Sequence, residues 1–112
     1  MDNARAARLL RKWIPFNGMD TPLGWEVPPE EEPVWPIVQR TTLAIKYAIA
    51  HLEGSPVPND IDREEAIALM AAWPEYNGMD DAEAWDAEIY PFVRNCRKAI
   101  DYAVNALKSE GS

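Results

Sequence analysis

Apolar residues recur along this chain at helical spacing, and no stretch alternates strictly between apolar and polar positions as a half-buried strand would. Two long segments carry the clearest stripes: Val38, Thr42, Ile45, Ile49 and Leu52 in one, and Val93, Cys96, Ile100, Ala103 and Leu107 in the other. Each predicts a helix with one buried face. Pro36 and Pro91 set where these helices begin. A proline costs ~3 kcal/mol inside a helix but is tolerated in the first turn, where its missing N–H has no partner to lose. Starts near Val34 and Ile89 are therefore predicted. Gly54 and Gly111 stand just beyond the ends, as helix-stopping glycines do, and the Ser-Pro-Val-Pro-Asn run at 55–59 reads as a linker.

Two shorter helices precede the long ones. Asp2 or Asn3 can cap a first helix in which Ala6, Leu9, Leu10 and Trp13 share a face, and Pro15 makes the residue before it a poor continuation, so about three turns are predicted. Asp62 and Glu65 have capping-box spacing ahead of Ala66, Ile67, Leu69, Met70 and Trp73, with Pro74 as the expected stop. Between the short and long helices, Asn-Gly favours a turn with positive φ, and Asp20 and Asp80 are placed to cap a helical turn immediately after them. Asp80 with Glu83 again fits a capping box. A short helix is predicted around 81–87, with a shorter counterpart around 21–25.

The chain also says one thing twice. Trp13-Ile14-Pro15-Phe16-Asn17-Gly18-Met19-Asp20, followed by Trp25, recurs as Trp73-Pro74-Glu75-Tyr76-Asn77-Gly78-Met79-Asp80, followed by Trp85, at an offset of 60. Downstream the offset is 55, pairing Pro36, Val38, Ile45, Tyr47 and Leu52 with Pro91, Val93, Ile100, Tyr102 and Leu107. The pattern predicts an internal duplication, with repeats at about 4–53 and 62–108, inside one domain spanning 1–112. Each half is too small to bury its own apolar face. The expected fold is all-α: a four-helix bundle-like domain of two helical hairpins related by an approximate two-fold, with short helical turns in the Asn-Gly-Met-Asp loops.

Composition supports a globular chain, with 47% hydrophobic and 27% charged residues. Five tryptophans in 112 residues are many, and Trp13, Trp25 and Trp35 lie in or beside the first loop. Nineteen acidic against eleven basic residues give a formal net charge of −8, which argues against binding nucleic acid directly or an anionic membrane. Ten carboxylates between Asp60 and Glu88 face only Arg63, and Glu26 to Glu32 adds four more, whereas residues 2–12 carry Arg5, Arg8, Arg11 and Lys12 against Asp2. An electrically polar molecule is expected. A lone cysteine excludes an intramolecular disulfide framework, and the N-terminal region lacks the apolar stretch of a secretion signal, so a cytoplasmic protein is expected.

The chemistry-bearing residues are few. Asp80, Asp81, Glu83, Asp86 and Glu88 lack the glycine-turned calcium loop and any histidine partner, and His51 has no acidic neighbour at zinc-helix spacing, so neither metal nor cofactor is expected. Cys96 falls on an apolar stripe and reads as a small hydrophobe. No nucleophile, paired acid and base or phosphate loop stands out, and no enzyme activity is expected. The repeated loop could line a ligand pocket, but each residue type has a local structural job: Trp and Met as plugs, Asn-Gly as turn, Asp as cap.

The acidic runs remain. Their plain reading is solubility. Their sharper reading is that carboxylates on helices imitate spaced phosphates and occupy the basic groove of a larger nucleic-acid-handling protein, anchored by exposed aromatics. Contacts would come from Asp81, Glu83, Asp86, Glu88, Glu30, Glu31 and Glu32. Phage anti-defence proteins, CRISPR inhibitors and nuclease immunity proteins share this size, charge and helical habit, which is a likeness of class; the partner would be a protein with a basic surface such as a nuclease or CRISPR-type effector. Two alternatives are a self-associating module, a homodimer for instance, whose basic first helix docks on the acidic half of another copy, and a small-ligand binder with a pocket between the two loops.

Overall fold

The computed structural model describes residues 1–110, apart from the side chain of Glu110; the expected stop at Gly111 lies outside them. Four helices form: α1 (Asn3–Phe16), α2 (Trp35–Glu53), α3 (Arg63–Asn77) and α4 (Tyr90–Glu110), with a single 3-10 turn at Ala82–Ala84. There is no strand among the described residues, and the fold is all-α and four-helix bundle-like. Helices α1 and α3 each lie against both α2 and α4, α2 touches α4, and α1 and α3 hardly meet.

The long helices begin within one residue of the positions their prolines predict. Pro36 sits in the first turn of α2 behind Val34 as N-cap, and Pro91 is the second residue of α4. All ten predicted stripe residues of α2 and α4 are buried in one core shared with Ala6, Leu10 and Trp13 of α1 and Ala66, Met70 and Trp73 of α3. Asp2 caps α1 by accepting from Arg5 N–H at 2.8 Å, and Asp62 caps α3 by accepting from Glu65 N–H at 2.7 Å.

Both short helices run past the proline expected to stop them, with Pro15 inside α1 and Pro74 inside α3. The reason is the glycine cap beyond each proline. Gly18 takes φ +70° and Gly78 φ +71°. Gly18 N–H donates to Pro15 O (3.2 Å) and Met19 N–H to Ile14 O (2.9 Å); Gly78 N–H donates to Glu75 O (3.3 Å) and Met79 N–H to Pro74 O (2.9 Å). This is the Schellman pattern. A proline in the last turn removes one hydrogen bond, and the cap holds the remainder. Met19 and Met79, next after the glycines, are buried. Gly54 ends α2 in the same way, with bonds of 3.2 Å to His51 O and 2.9 Å from Ser55 N–H to Ala50 O.

The loop helices predicted from the two aspartates are smaller than expected. Residues 21–24 form only bends and turns, and the second loop has only the Ala82–Ala84 turn, capped by Asp81 instead of Asp80. Asp80 is drawn to Arg97 (3.0 Å), which leaves Asp81 to accept from Glu83 N–H at 3.0 Å.

Because a Cβ at either cap glycine would meet its nearest neighbour at an ordinary 3.9 Å, only the backbone opposes substitution. Gly18→Ala and Gly78→Ala should each destabilise the protein by about 1 kcal/mol, read as equal shifts of the urea midpoint with unchanged slope.

Candidate interaction surface

The two loops are held by an exchange of tryptophans. Trp25, in the first loop, packs at a tilt against Trp73 of α3 with ring centroids 6.0 Å apart, while Trp85, in the second, packs at a tilt against Trp13 of α1 at 5.8 Å. Each loop tryptophan also donates its indole N–H to the carbonyl of its own cap glycine: Trp25 to Gly18 O and Trp85 to Gly78 O, both at 2.8 Å. The left-handed glycine turns that carbonyl toward the ring. Thr42, buried in α2, adds a hydroxyl bond to Met19 O at 3.3 Å.

Inside this layer Trp13 and Trp73 are buried, and their indole N–H groups lack partners, as do Oδ1 of Asn17 and Asn77 four residues on. The same two groups thus occur at matching places in both copies of the repeated motif. Phe16 packs on Trp13 (5.5 Å) and edge-on to Phe92 (4.9 Å), and Tyr76 packs on Trp73 (5.4 Å).

None of the five tryptophans is exposed, which corrects the expectation that tryptophans would provide surface anchors. The aromatics facing solvent are Phe16 and Tyr76, 42% and 48% exposed, with Ile37 beside them in kind at 44%. Sequence reasoning placed these two inside the repeated motif without seeing that the motif's indoles turn inward and its smaller rings outward.

All seven predicted contact carboxylates are exposed: Asp81, Glu83, Asp86 and Glu88 on the second loop, Glu30, Glu31 and Glu32 on the first. The loop segments 17–34 and 78–89 contain ten of the nineteen carboxylates and none of the eleven cations. Of the ten, only Asp80 has an ion pair among the described residues. Asp81 is partly committed to capping, and the Asp86 carbonyl starts α4 by accepting from Ile89 and Tyr90 N–H at 2.9 Å each. No hydrogen bond or ion pair links Glu30–Glu32 to the second loop. The structure therefore places two carboxylate runs in separate loops, each loop tied by its own tryptophan to a helix of the other hairpin, without joining the runs.

Elsewhere cations and carboxylates pair across helices. Arg11 bonds Glu53, which raises the guanidinium pKa and lowers that of the carboxylate, and Arg40 bonds Glu65 and the Asp60 carbonyl, which raises its pKa. Burial opposes the charge on Arg97, but its bonds to Asp101 and Asp80 prevail and raise its pKa. No group of three or more His, Cys, Asp or Glu side chains among the described residues is placed to hold a metal ion. No described helix is long and apolar enough to cross a membrane. The clefts lie along helix pairs, within the first loop and where the second loop meets α3 and α4, and none of the three is lined by residues of both loops. Comparison with protein-family models, curated proteins and solved structures found no match to this chain.

Cys96 is fully buried, its thiol 3.7 Å from Leu9 O, and burial pushes its pKa up to about 12. The fold thus favours the neutral thiol. The stability this confers is complete below the unfolded value of about 8.5 and is lost as pH rises from there toward the folded value. At pH 8 the thiol should react with an aromatic disulfide reagent no faster than the protein unfolds, and immediately once urea unfolds it; prompt labelling of the native protein would contradict the burial.

Proposed function

We propose that this protein is a non-enzymatic binding protein that docks its acidic loop surface on the basic, nucleic-acid-binding face of a larger protein in the cytoplasm and occludes it. One observation carries the reading: nine of the ten carboxylates in two loop segments that hold no lysine or arginine have no ion pair among the described residues. Unpaired like charges close together repel one another, and a cationic partner relieves that cost. Phe16, packed on Trp13, and Tyr76, packed on Trp73, supply exposed rings, the residue type that concentrates binding energy at interfaces. A nuclease or CRISPR-type effector offers the required basic groove. Glu83, Asp86 and Glu88 are the contacts to test, because none of their side chains caps a helix or pairs within the fold.

The test is capture from a bacterial lysate followed by competition. Tagged wild-type protein should retain a nucleic-acid-binding protein at low salt and displace labelled DNA from it. The Glu83→Lys, Asp86→Lys, Glu88→Lys triple variant should keep its helical circular dichroism and lose at least about tenfold in displacement. A captured protein that binds DNA unchanged in the presence of excess wild type, or equal displacement by the triple variant, would defeat the occlusion reading.

A further inference from the structure

Leu23 stands out from the fold. It is 73% exposed, more than any other large hydrophobic residue described, and its turn is firmly tied. Trp25 N–H donates to Pro22 O (3.1 Å), Leu23 N–H to the Thr21 hydroxyl (3.3 Å) and Gly24 N–H to Glu26 Oε2 (2.9 Å), while the Trp25 ring is fixed on Trp73. An apolar tip on so constrained a turn gains nothing for the monomer. Asp20 and Glu26 flank it, both exposed and neither in an ion pair among the described residues.

A surface of matching chemistry lies between α1 and α2. There a cleft of about 420 Å³ has a floor of Ile14, Ile49 and Ala50 and a rim of Arg11, Lys46 and Glu53. Arg11 shares its charge with Glu53, but Lys46 is exposed and has no carboxylate partner among the described residues. Arg8 lines the adjoining cleft. In a chain of net charge −8, this is an apolar recess with an excess of positive charge. The same stretch of the other helix pair differs in sign: the cleft between α3 and α4 is edged by Glu75, Asp80 and Asp81, opposed by Arg97.

From this complementarity we propose that Leu23 of one copy inserts between α1 and α2 of a second copy, with Asp20 and Glu26 facing Lys46 and Arg11. The tip and the recess are different surfaces, so the contact is heterologous, and only a closed arrangement limits the assembly. A single leucine in a shallow cleft makes a small interface, below about 1,200 Å², of the kind that exchanges readily. The assembly uses Asp20 and Glu26, two of the nine loop carboxylates without an ion pair, but none of Glu83, Asp86 or Glu88, so the loop triple variant separates it from the occlusion reading.

Sedimentation velocity from about 10 µM to about 1 mM covers the range expected for so small a contact. The mass of the wild type should rise with concentration and fall back as salt is raised. Leu23→Asp and Lys46→Glu, both at exposed positions, should each weaken association at least about tenfold while leaving thermal unfolding unchanged. Mixing the two variants should restore a heterodimer, because Lys46→Glu keeps an intact tip and Leu23→Asp keeps an intact recess. The loop triple variant should associate as the wild type does. A wild type that stays monomeric throughout, an assembly indifferent to both substitutions, or two variants that fail to pair when mixed would each overturn the proposal.

Discussion

Two indole rings cross between the halves of this molecule, and the placement of its acidic surface depends on them. Trp25 reaches α3 and Trp85 reaches α1, and each is locked to the glycine carbonyl that closes the helix before it. Each crossing combines an aromatic contact worth about 0.5–1.5 kcal/mol beyond area burial with a hydrogen bond worth about 1 kcal/mol net. Neither term is large. Their effect is positional: the end of α1 cannot move without its loop tryptophan, and that ring is held by α3. Two loops whose charges are all of one sign, the first also rich in proline, are thereby held on the core.

The same arrangement explains which charges the fold uses. Arg11 joins α1 to α2 through Glu53, Arg40 joins α2 to α3 through Glu65, and Arg97 joins α4 to the second loop through Asp80. These pairs are substantially exposed and screened by solvent, so each adds little to stability. Of the other loop carboxylates, Asp81 and Glu26 accept backbone hydrogen bonds, and none of the nine has an ion pair among the described residues, so a cationic partner would relieve their mutual repulsion. The rings available to such a partner are Phe16 and Tyr76, whose packing on Trp13 and Trp73 limits the freedom lost on docking.

Much of the fold was legible because its signals are local. Prolines in the first turns of α2 and α4 marked those helices to within a residue, and the apolar stripes named their buried faces. Pro15 and Pro74 misled for an equally local reason. The penalty of a proline depends on how many helical bonds lie beyond it, and a Schellman cap one residue after Asn17 or Asn77 keeps the last turn together. The tryptophans could not be sorted from sequence, since burial of Trp13 depends on a ring in position 85 and burial of Trp73 on one in position 25. The candidate surface was legible as charge but not as shape. Glu30 to Glu32 and Asp81 to Glu88 were evident as runs, whereas the exposure of Leu23 between Pro22 and Gly24, and the meeting of Arg11 with Glu53 across 42 residues, arise only once the helices pack.

Hydrogen exchange at the indole N–H groups of Trp25 and Trp85 tests the tryptophan exchange most directly. If the two crossings hold the loops to the core, both protons exchange only through openings that cost nearly the full unfolding free energy, at rates matching the amides of Ala44 and Ala99 in the buried faces of α2 and α4. Fast exchange at either indole while those amides stay protected would mean that the loop opens on its own, and the reciprocal contacts would then not be what orders the acidic surface.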